Sequence, residues 1–202
     1  MFSPRLDAAF ALAHDLHYAQ IRKTSGIPYI GHLLLVTGTV IEGGGDEDET
    51  IAAVFHDGPE DQGCMELLEK IRKRFGDRVA DIVAGCSDTF VTPKPPWKER
   101  KEAYISHLPT ASKSVLLVSA ADKLCNARAT FEDYLEVGDK VFERFRGGKE
   151  GTLWYYRALI DVYKSCEITT GTKKIVRALD STWNAMEMFV RMADIPVGES
   201  HG

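Results

Sequence analysis

The sequence lacks the features that identify several large classes of protein. Its four cysteines are scattered, without a CxxC pair, which favours free thiols in a reducing compartment over a disulfide scaffold. The longest apolar stretches, such as residues 114–121, are far too short to span a membrane. No cationic region followed by an apolar core opens the chain. We therefore expect no secretory signal and a cytoplasmic location.

An excess of positive charge is also missing. The chain has 25 Lys and Arg residues against 30 Asp and Glu residues, a net charge of −5, which argues against broad affinity for nucleic acid. A small phosphorylated ligand is not excluded, because it needs only a local basic patch and a metal ion. With 202 residues, 44% of them apolar, the chain is long enough to bury a substantial core.

Sustained alternation of period two is absent, and helical spacing dominates instead. Phe10, His14 and His17 recur at helical spacing behind Pro4, which suits a first helical turn. A run of three glycines ends the second helix, and the remaining predicted helices follow at short intervals. Their approximate ranges are 28–41, 50–56, 65–75, 77–86, 97–107, 112–130, 150–166 and 173–192. We therefore predict an all-α helical bundle of about 8–10 helices.

The run AAVFHDGPEDQG is the most informative stretch of the chain. Imidazole nitrogen and carboxylate oxygen together accept Mn²⁺, Fe²⁺ or Zn²⁺, so the adjacent His56 and Asp57 suit a divalent metal ion. The apolar residues 51–55 bury the approach to this pair, and burial without a partner is costly. Glu60 and Asp61, one turn beyond, could handle the proton of a bound water. In the alternative interpretation, the pair ends a helix and both carboxylates are solvated.

Two further residues complete the candidate ligand set. His32 lies among leucines in the second helix, and Asp122 follows the buried run VLLVSAA, where a lone carboxylate needs a counter-charge or a metal. The alternatives are a hydrogen-bonded core histidine at position 32 and a counter-charge from Lys123. Three other histidines are interpreted as surface or core residues: His14, His17 and His107. The set His32, His56, Asp57 and Asp122 would leave positions open for water and phosphate.

Three motifs, with their flanks, follow one family pattern. RKTSGIPYIGH matches R-K-x-x-x-x-P-Y-x-x-H, HDGPED matches H-D-x-x-E-D, and ADKLCNAR matches A-D-K/R-L-x-N-x-R. Weaker matches are RFGDRVADIVAGCSD, which ends in the family's S/T-D element, and ERKEAYISHL, which matches E-R-K-x-x-Y. In these motifs the chain resembles the HD-domain hydrolases of the RelA/SpoT family, especially the small stand-alone alarmone hydrolases. The resemblance implies one HD-type domain over residues 1–202, with the motifs in residues 5–130 and C-terminal helices over about 131–192.

The resemblance also implies residue roles. The family's metal ligands fall on the same four residues that their chemistry selects, and Mn²⁺ is the ion expected. The pair that orients or deprotonates the attacking water falls on Glu60 and Asp61, and the sequence does not divide these two roles. Where the family usually has two aliphatic or small residues between the pairs, this chain has Gly58 and Pro59. This proline constrains the turn that presents Glu60 and Asp61.

Substrate contacts are implied in the same way. The basic contacts of the family fall on Arg22 and Lys23, Asn126 matches an asparagine that contacts the nucleotide, and Arg128 matches a basic residue that supports the site. The implied reaction is hydrolysis of ppGpp or pppGpp to pyrophosphate and GDP or GTP. Trp154 and the two tyrosines after it are interpreted as core or interface, with one tyrosine at the pocket edge as the alternative.

Two other functions compete with this one. The first is the same metal chemistry on another nucleotide, for example removal of the 2′-phosphate of NADPH. The second is a metal-bound sensor module without catalysis, in which the C-terminal helices dock a partner. A pure binding module has no need for Glu60 and Asp61 together, which favours a hydrolase. A small-molecule nucleotide is the partner we expect, with neither nucleic acid nor membrane, and the sequence leaves a homo-oligomer open.

Overall fold

The computed structural model of the chain describes residues 2–22, 26–59, 64–91 and 93–195. Within these ranges the regular structure is helical, apart from an isolated antiparallel bridge between Ile21 and Pro28. The α-helices are α1 (Pro4–His17), α2 (Ile30–Glu42), α3 (Glu47–Phe55), α4 (Cys64–Phe75), α5 (Asp77–Cys86), α6 (Trp97–His107), α7 (Lys113–Val137), α8 (Gly148–Ser165) and α9 (Thr170–Ala193). Short 3-10 helices occupy Leu108–Thr110 and Gly138–Arg144. The prediction of an all-α bundle is confirmed.

Local signals explain where several helices begin and end. Ser3 caps α1 ahead of Pro4, and Asp46 forms a capping box with Glu49 at the start of α3. The last turn of α2 closes on a glycine run in which Gly44 has φ +83°, a conformation that side chains with a Cβ rarely adopt. The helix α7 continues past the predicted end near residue 130 to Val137.

The long helix α7 lies at the centre of the core. From Val115 to Leu124, every residue except Lys123 is buried, and α7 packs against α2, α3, α5 and α9. The C-terminal helix α9 approaches α2 so closely that a Cβ on Gly171 would overlap the carbonyl oxygen of Gly43. Because α2, α3 and α7 pack on one another, polar residues at their inner faces are brought together. None of the helices within the described ranges is long and apolar enough to cross a membrane.

Candidate metal centre and adjoining basic pocket

Four polar residues meet where α2, α3 and α7 pack together. His32 comes from α2, His56 and Asp57 directly follow α3, and Asp122 comes from the buried part of α7. The apolar residues that precede His56 and Asp122 are buried, so they carry these side chains into the interior. Each of the four offers one donor atom, and these atoms all lie within 4.8 Å of one another. The structure thus brings together the complete ligand set predicted from the sequence.

The distances between donor atoms suit one shared ion. His56 Nε2 lies 2.9 Å from Asp57 Oδ2 and 3.4 Å from Asp122 Oδ1. His32 Nε2 lies 3.2 Å from Asp122 Oδ1 and 3.6 Å from Asp57 Oδ2. Nitrogen and oxygen donors bound at about 2.1 Å from one ion lie roughly 3–4 Å apart at ordinary coordination angles. The cluster therefore has the dimensions of a divalent-metal site.

Unsatisfied nitrogens also fit a metal ion. Within the described residues, His56 Nε2 and both ring nitrogens of His32 are buried without a hydrogen-bond partner, which is costly unless another ligand is bound. His56 Nδ1 lies 2.8 Å from the carbonyl oxygen of Ala53, to which it donates. In the neutral imidazole this bond leaves the lone pair on Nε2, facing the carboxylates, which is the arrangement typical of metal-ligating histidines.

The charges in the cluster depend on one another. Burial alone would raise the pKa of the Asp57 carboxyl, but the neighbouring His56 holds it well below its ordinary value. Burial alone would also raise the pKa of Asp122, but the ammonium group of Lys123 is the main cause that holds this pKa well below its ordinary value. For His56, burial lowers the pKa, whereas the two carboxylates raise it well above its ordinary value. Both carboxylates are therefore ionised and ready to bind a cation.

Neighbouring side chains hold the two carboxylates in place. The Tyr29 hydroxyl donates a short hydrogen bond to Asp57 Oδ2, the oxygen that faces His56. Asn126 Nδ2 donates to Asp122 Oδ1 at 2.6 Å, and Arg22 Nη2 donates to Asn126 Oδ1 at 2.9 Å. Such second-layer bonds fix the orientation of metal ligands. They also connect Asp122 to a cation that lies outside the cluster.

A basic pocket of about 500 Å³ adjoins the cluster at Asn126 and Lys123. Its lining contains six basic residues and one acidic residue, Asp133. The basic residues are Arg22, Arg100, Lys101, Lys123, Arg144 and Arg146. Although the chain carries net negative charge, the lining of this pocket has an excess of basic residues and suits an anion.

Aromatic rings complete the pocket wall. Trp97, Tyr155 and Tyr156 line it, and Tyr156 stacks on the fully buried Trp183 with ring centroids 3.9 Å apart. The two tyrosines thus belong partly to the core and partly to the pocket edge, which agrees with the alternative stated for them above. Rings and cations in one pocket can bind a planar base together with phosphate groups.

The other predicted site residues have different locations. Arg22 and Asn126 line the pocket, whereas Arg128 is exposed on α7 and lies outside the pocket lining that the described residues form. Lys23, Glu60 and Asp61 lie outside the described residues. Of the competing histidines, His14 and His107 are exposed, and His17 is buried with its ring stacked on Tyr29.

Several site residues were not predicted from the sequence. Tyr29 belongs to a quoted motif, three positions before His32, and that spacing was the available signal for its contact with the ligand cluster. Arg100 and Lys101 also belong to a quoted motif but had no assigned role. Arg144 and Arg146 belong to no motif, and nothing in their local sequence distinguishes them from solvated surface residues.

Comparison with known proteins agrees with the fold and the motifs. A family model described as HD domain matches residues 9–152. A solved structure titled as a metazoan ortholog of SpoT that hydrolyzes ppGpp has a TM-score of 0.73. The two chains are 22% identical, and the match covers 91% of this chain and 96% of the solved one. At this identity the likeness shows the fold.

Curated relatives match the motif-bearing part. A Synechocystis protein named probable guanosine-3′,5′-bis(diphosphate) 3′-pyrophosphohydrolase is 43% identical over 77 residues, or 38% of this chain. An Aquifex aeolicus guanosine-3′,5′-bis(diphosphate) 3′-pyrophosphohydrolase is 42% identical over 80 residues, or 40% of this chain. The matched parts are only 10% and 11% of those longer proteins. The resemblance that the motifs indicated is confirmed.

Proposed function

The chain belongs to the HD-domain family, and we propose that it hydrolyses the 3′-pyrophosphate of ppGpp and pppGpp. Water and the nucleotide would give pyrophosphate together with GDP or GTP. The observation that carries this proposal is the connection between the four-residue cluster and the basic pocket. Arg22, a cation that can bind substrate, donates a hydrogen bond to Asn126, and Asn126 in turn donates to the candidate metal ligand Asp122. The names of the curated relatives support the same reaction.

One divalent ion, which we expect to be Mn²⁺, would be held by His32, His56, Asp57 and Asp122. Two imidazoles with two carboxylates make a harder donor set than the thiolate-rich sites typical of structural zinc. When bound, such an ion supplies a Lewis acid and lowers the pKa of water. Two ionised carboxylates without an ion repel a polyphosphate, so the cluster needs a cation before an anionic substrate can approach.

The reacting water would be oriented and deprotonated by Glu60 and Asp61. Both lie outside the described residues, and the proposal for them rests on the H-D-x-x-E-D motif. The preceding Gly58 and Pro59 are buried and helical, and a Cβ on Gly58 would lie 3.3 Å from a methyl group of Leu67. The described part of this turn, directly after His56 and Asp57, is therefore closely packed.

Arg22, Lys23 and Asn126 would bind the nucleotide, and the first and last of them line the pocket. The guanidinium of Arg22 can grip a phosphate through two bonds or stack on a purine. Arg128 is proposed to support the site, as the motif implies, although its side chain is exposed. We also expect a small-molecule substrate and a cytoplasmic location, and a homo-oligomer is possible.

The decisive experiment is a turnover assay with Mn²⁺ on a panel of 3′-phosphorylated nucleotides and NADPH. We expect ppGpp and pppGpp to be the preferred substrates and pyrophosphate to be released intact. Release of orthophosphate, or faster turnover of NADPH than of ppGpp, would assign the chain to another nucleotide. Binding of Mn²⁺ and nucleotides without turnover of any of them would support the sensor module instead.

A further inference from the structure

Two motifs of the sequence that had no assigned role meet in one buried ionic group. Asp88 ends the first of them and follows α5, whereas Arg100 and Lys101 belong to the second and lie on α6. Asp88 Oδ2 accepts a short hydrogen bond from Arg100 Nη1 and another from Lys101 Nζ at 2.9 Å. The exposed fractions of the three side chains are only 5%, 7% and 19%.

This group carries one more positive charge than it needs for neutrality. Burial alone would raise the pKa of Asp88, but Lys101 and Arg100 hold it below its ordinary value, so the carboxylate is charged. One carboxylate then faces two cations. Arg100 Nε also donates to the carbonyl oxygen of Pro95 at 3.1 Å, which fixes the guanidinium. Lys101 lines the basic pocket and retains donors that Asp88 does not use.

Lys101 lies over the ring of Tyr155, whose hydroxyl no described residue pairs. Tyr155 lines the same pocket and is only 7% exposed, yet its hydroxyl has no hydrogen-bond partner within the described residues. The ammonium of Lys101 lies 5.0 Å from the centre of the Tyr155 ring. A buried hydroxyl without a partner is costly and indicates that a ligand supplies one. An ammonium and a phenol hydroxyl both donate, so the ligand group is an acceptor with negative charge.

We propose that Lys101 and Tyr155 form a second phosphate subsite of the pocket, and that Asp88 is the positioning residue that holds Lys101 in it. The ligand group would be the 5′-diphosphate of the nucleotide, distinct from the 3′-pyrophosphate at the metal centre. At the metal end of the pocket, Lys123 and Asn126 are already bonded to Asp122. This inference rests on the proposed function only for the identity of the nucleotide.

Equilibrium binding separates the subsite from the catalytic step. Guanosine and GDP, with adenosine and ADP beside them, are titrated into the Mn²⁺-loaded wild type and its Lys101→Ala variant. The ratio of diphosphate to nucleoside affinity tests the subsite, whereas the preference for guanine over adenine tests the proposed function. We expect Lys101→Ala to weaken diphosphate binding about tenfold or more and nucleoside binding little, because only the diphosphate meets the ammonium.

Lys98 provides the matched control. It lies on the same helix, is 70% exposed and contacts Glu102 and the Trp154 ring rather than Asp88. Lys98→Ala removes the same charge from the same helix, so we expect it to leave the affinity ratio unchanged. Equal effects of the two variants, or a wild type that binds diphosphates no better than nucleosides, would overturn the subsite.

The role of Asp88 is tested by the sign of the effect. Asp88→Asn removes a negative charge, and if only the charge mattered, an anion would bind more tightly. A positioning role predicts weaker diphosphate binding, about threefold or more, with partial recovery in Asp88→Glu. For turnover, we expect KM to rise more than kcat falls. Unchanged or tighter diphosphate binding in a folded Asp88→Asn protein would overturn the positioning role.

Discussion

The four-residue cluster and the basic pocket differ in how their charged side chains are paired. In the cluster, two carboxylates face imidazole nitrogens that have no hydrogen-bond partner in the described part of the chain, so the group suits a cation. In the pocket, acids already hold several of the cations, as Asp88 holds two of them and Asp133 holds Arg144 at 2.8 Å. Pairing fixes each cation but leaves the pocket with excess positive charge.

This difference in pairing gives the two regions different binding properties. A cluster of unpaired donors is selective for one ion, because geometry and donor type decide what binds. A pocket of paired cations binds anions with less geometric demand, because excess charge acts over several ångströms. Changes in the cluster should therefore produce large losses, and changes in the layer around it should produce graded ones.

The largest effect is expected from removing a cluster donor. His56→Ala should abolish metal binding and turnover, since its Nε2 contacts both carboxylates. Metal analysis and the shift in melting temperature on adding Mn²⁺ measure this loss, and the shift should disappear. His107→Ala, which removes an exposed imidazole, should retain both ion and shift. Full metal content in the His56→Ala protein would contradict the assignment of the cluster.

The next effect concerns Glu60 and Asp61. If they act on water rather than on the ion, Glu60→Gln and Asp61→Asn should retain metal and lose turnover about a hundredfold, as expected for acid–base groups. Steady-state kinetics and metal analysis on the same preparations measure both properties. Glu66→Gln, the same change on the exposed face of α4, serves as the control. Loss of metal in either variant would make that residue a ligand, and full activity in both would exclude them from the mechanism.

A smaller effect is expected from the layer behind the ligands. Tyr29→Phe removes the hydrogen bond to Asp57 and keeps the ring that stacks on His17. The Asp57 carboxylate should therefore be held less firmly, while no cavity forms at position 29. We expect Mn²⁺ affinity to fall about tenfold, the lower end of losses seen when such partners are removed. Competition titration with a metal-binding dye measures the affinity.

Tyr163→Phe is the matched control for Tyr29→Phe. The Tyr163 hydroxyl is buried and bonded to Ser119 at 2.5 Å, and no hydrogen bond within the described residues joins it to the four cluster residues. Its removal should lower the melting temperature but leave the Mn²⁺ affinity unchanged. If both variants bound Mn²⁺ with the affinity of the wild type, the bond from Tyr29 would have no role in positioning Asp57.

The same comparison shows how far the sequence alone predicts this molecule. The four cluster residues could be predicted because each is a polar residue in an apolar helical context, where burial requires a partner. Helix positions followed from spacing and caps, since these signals are local. For these reasons the helical bundle and the four cluster residues could be predicted from the sequence.

The pocket was much less predictable because its parts are distant in sequence. Arg22 precedes α2, Lys101 lies on α6 and Arg144 ends the second 3-10 helix, so only tertiary packing brings these cations to one pocket. Tyr155 was interpreted mainly as core or interface because its segment is aromatic and amphipathic. Its pocket role depends on which face of α8 meets α6, and that is decided by tertiary packing.

The smallest effect expected is a change in the pH dependence of stability caused by Asp88. Its pKa in the folded protein is lowered by Lys101 and Arg100 despite burial, so its stabilising contribution is present above the unfolded value of about 3.9 and is lost as pH falls through the lower folded value. Urea unfolding should show wild type more stable than Asp88→Asn by about 1–2 kcal/mol near neutral pH. The difference should shrink as pH falls below about 4 and through the lower folded value, where the wild-type carboxylate becomes neutral. A difference that stayed constant across this range would mean that the charge on Asp88 does not stabilise the buried cations.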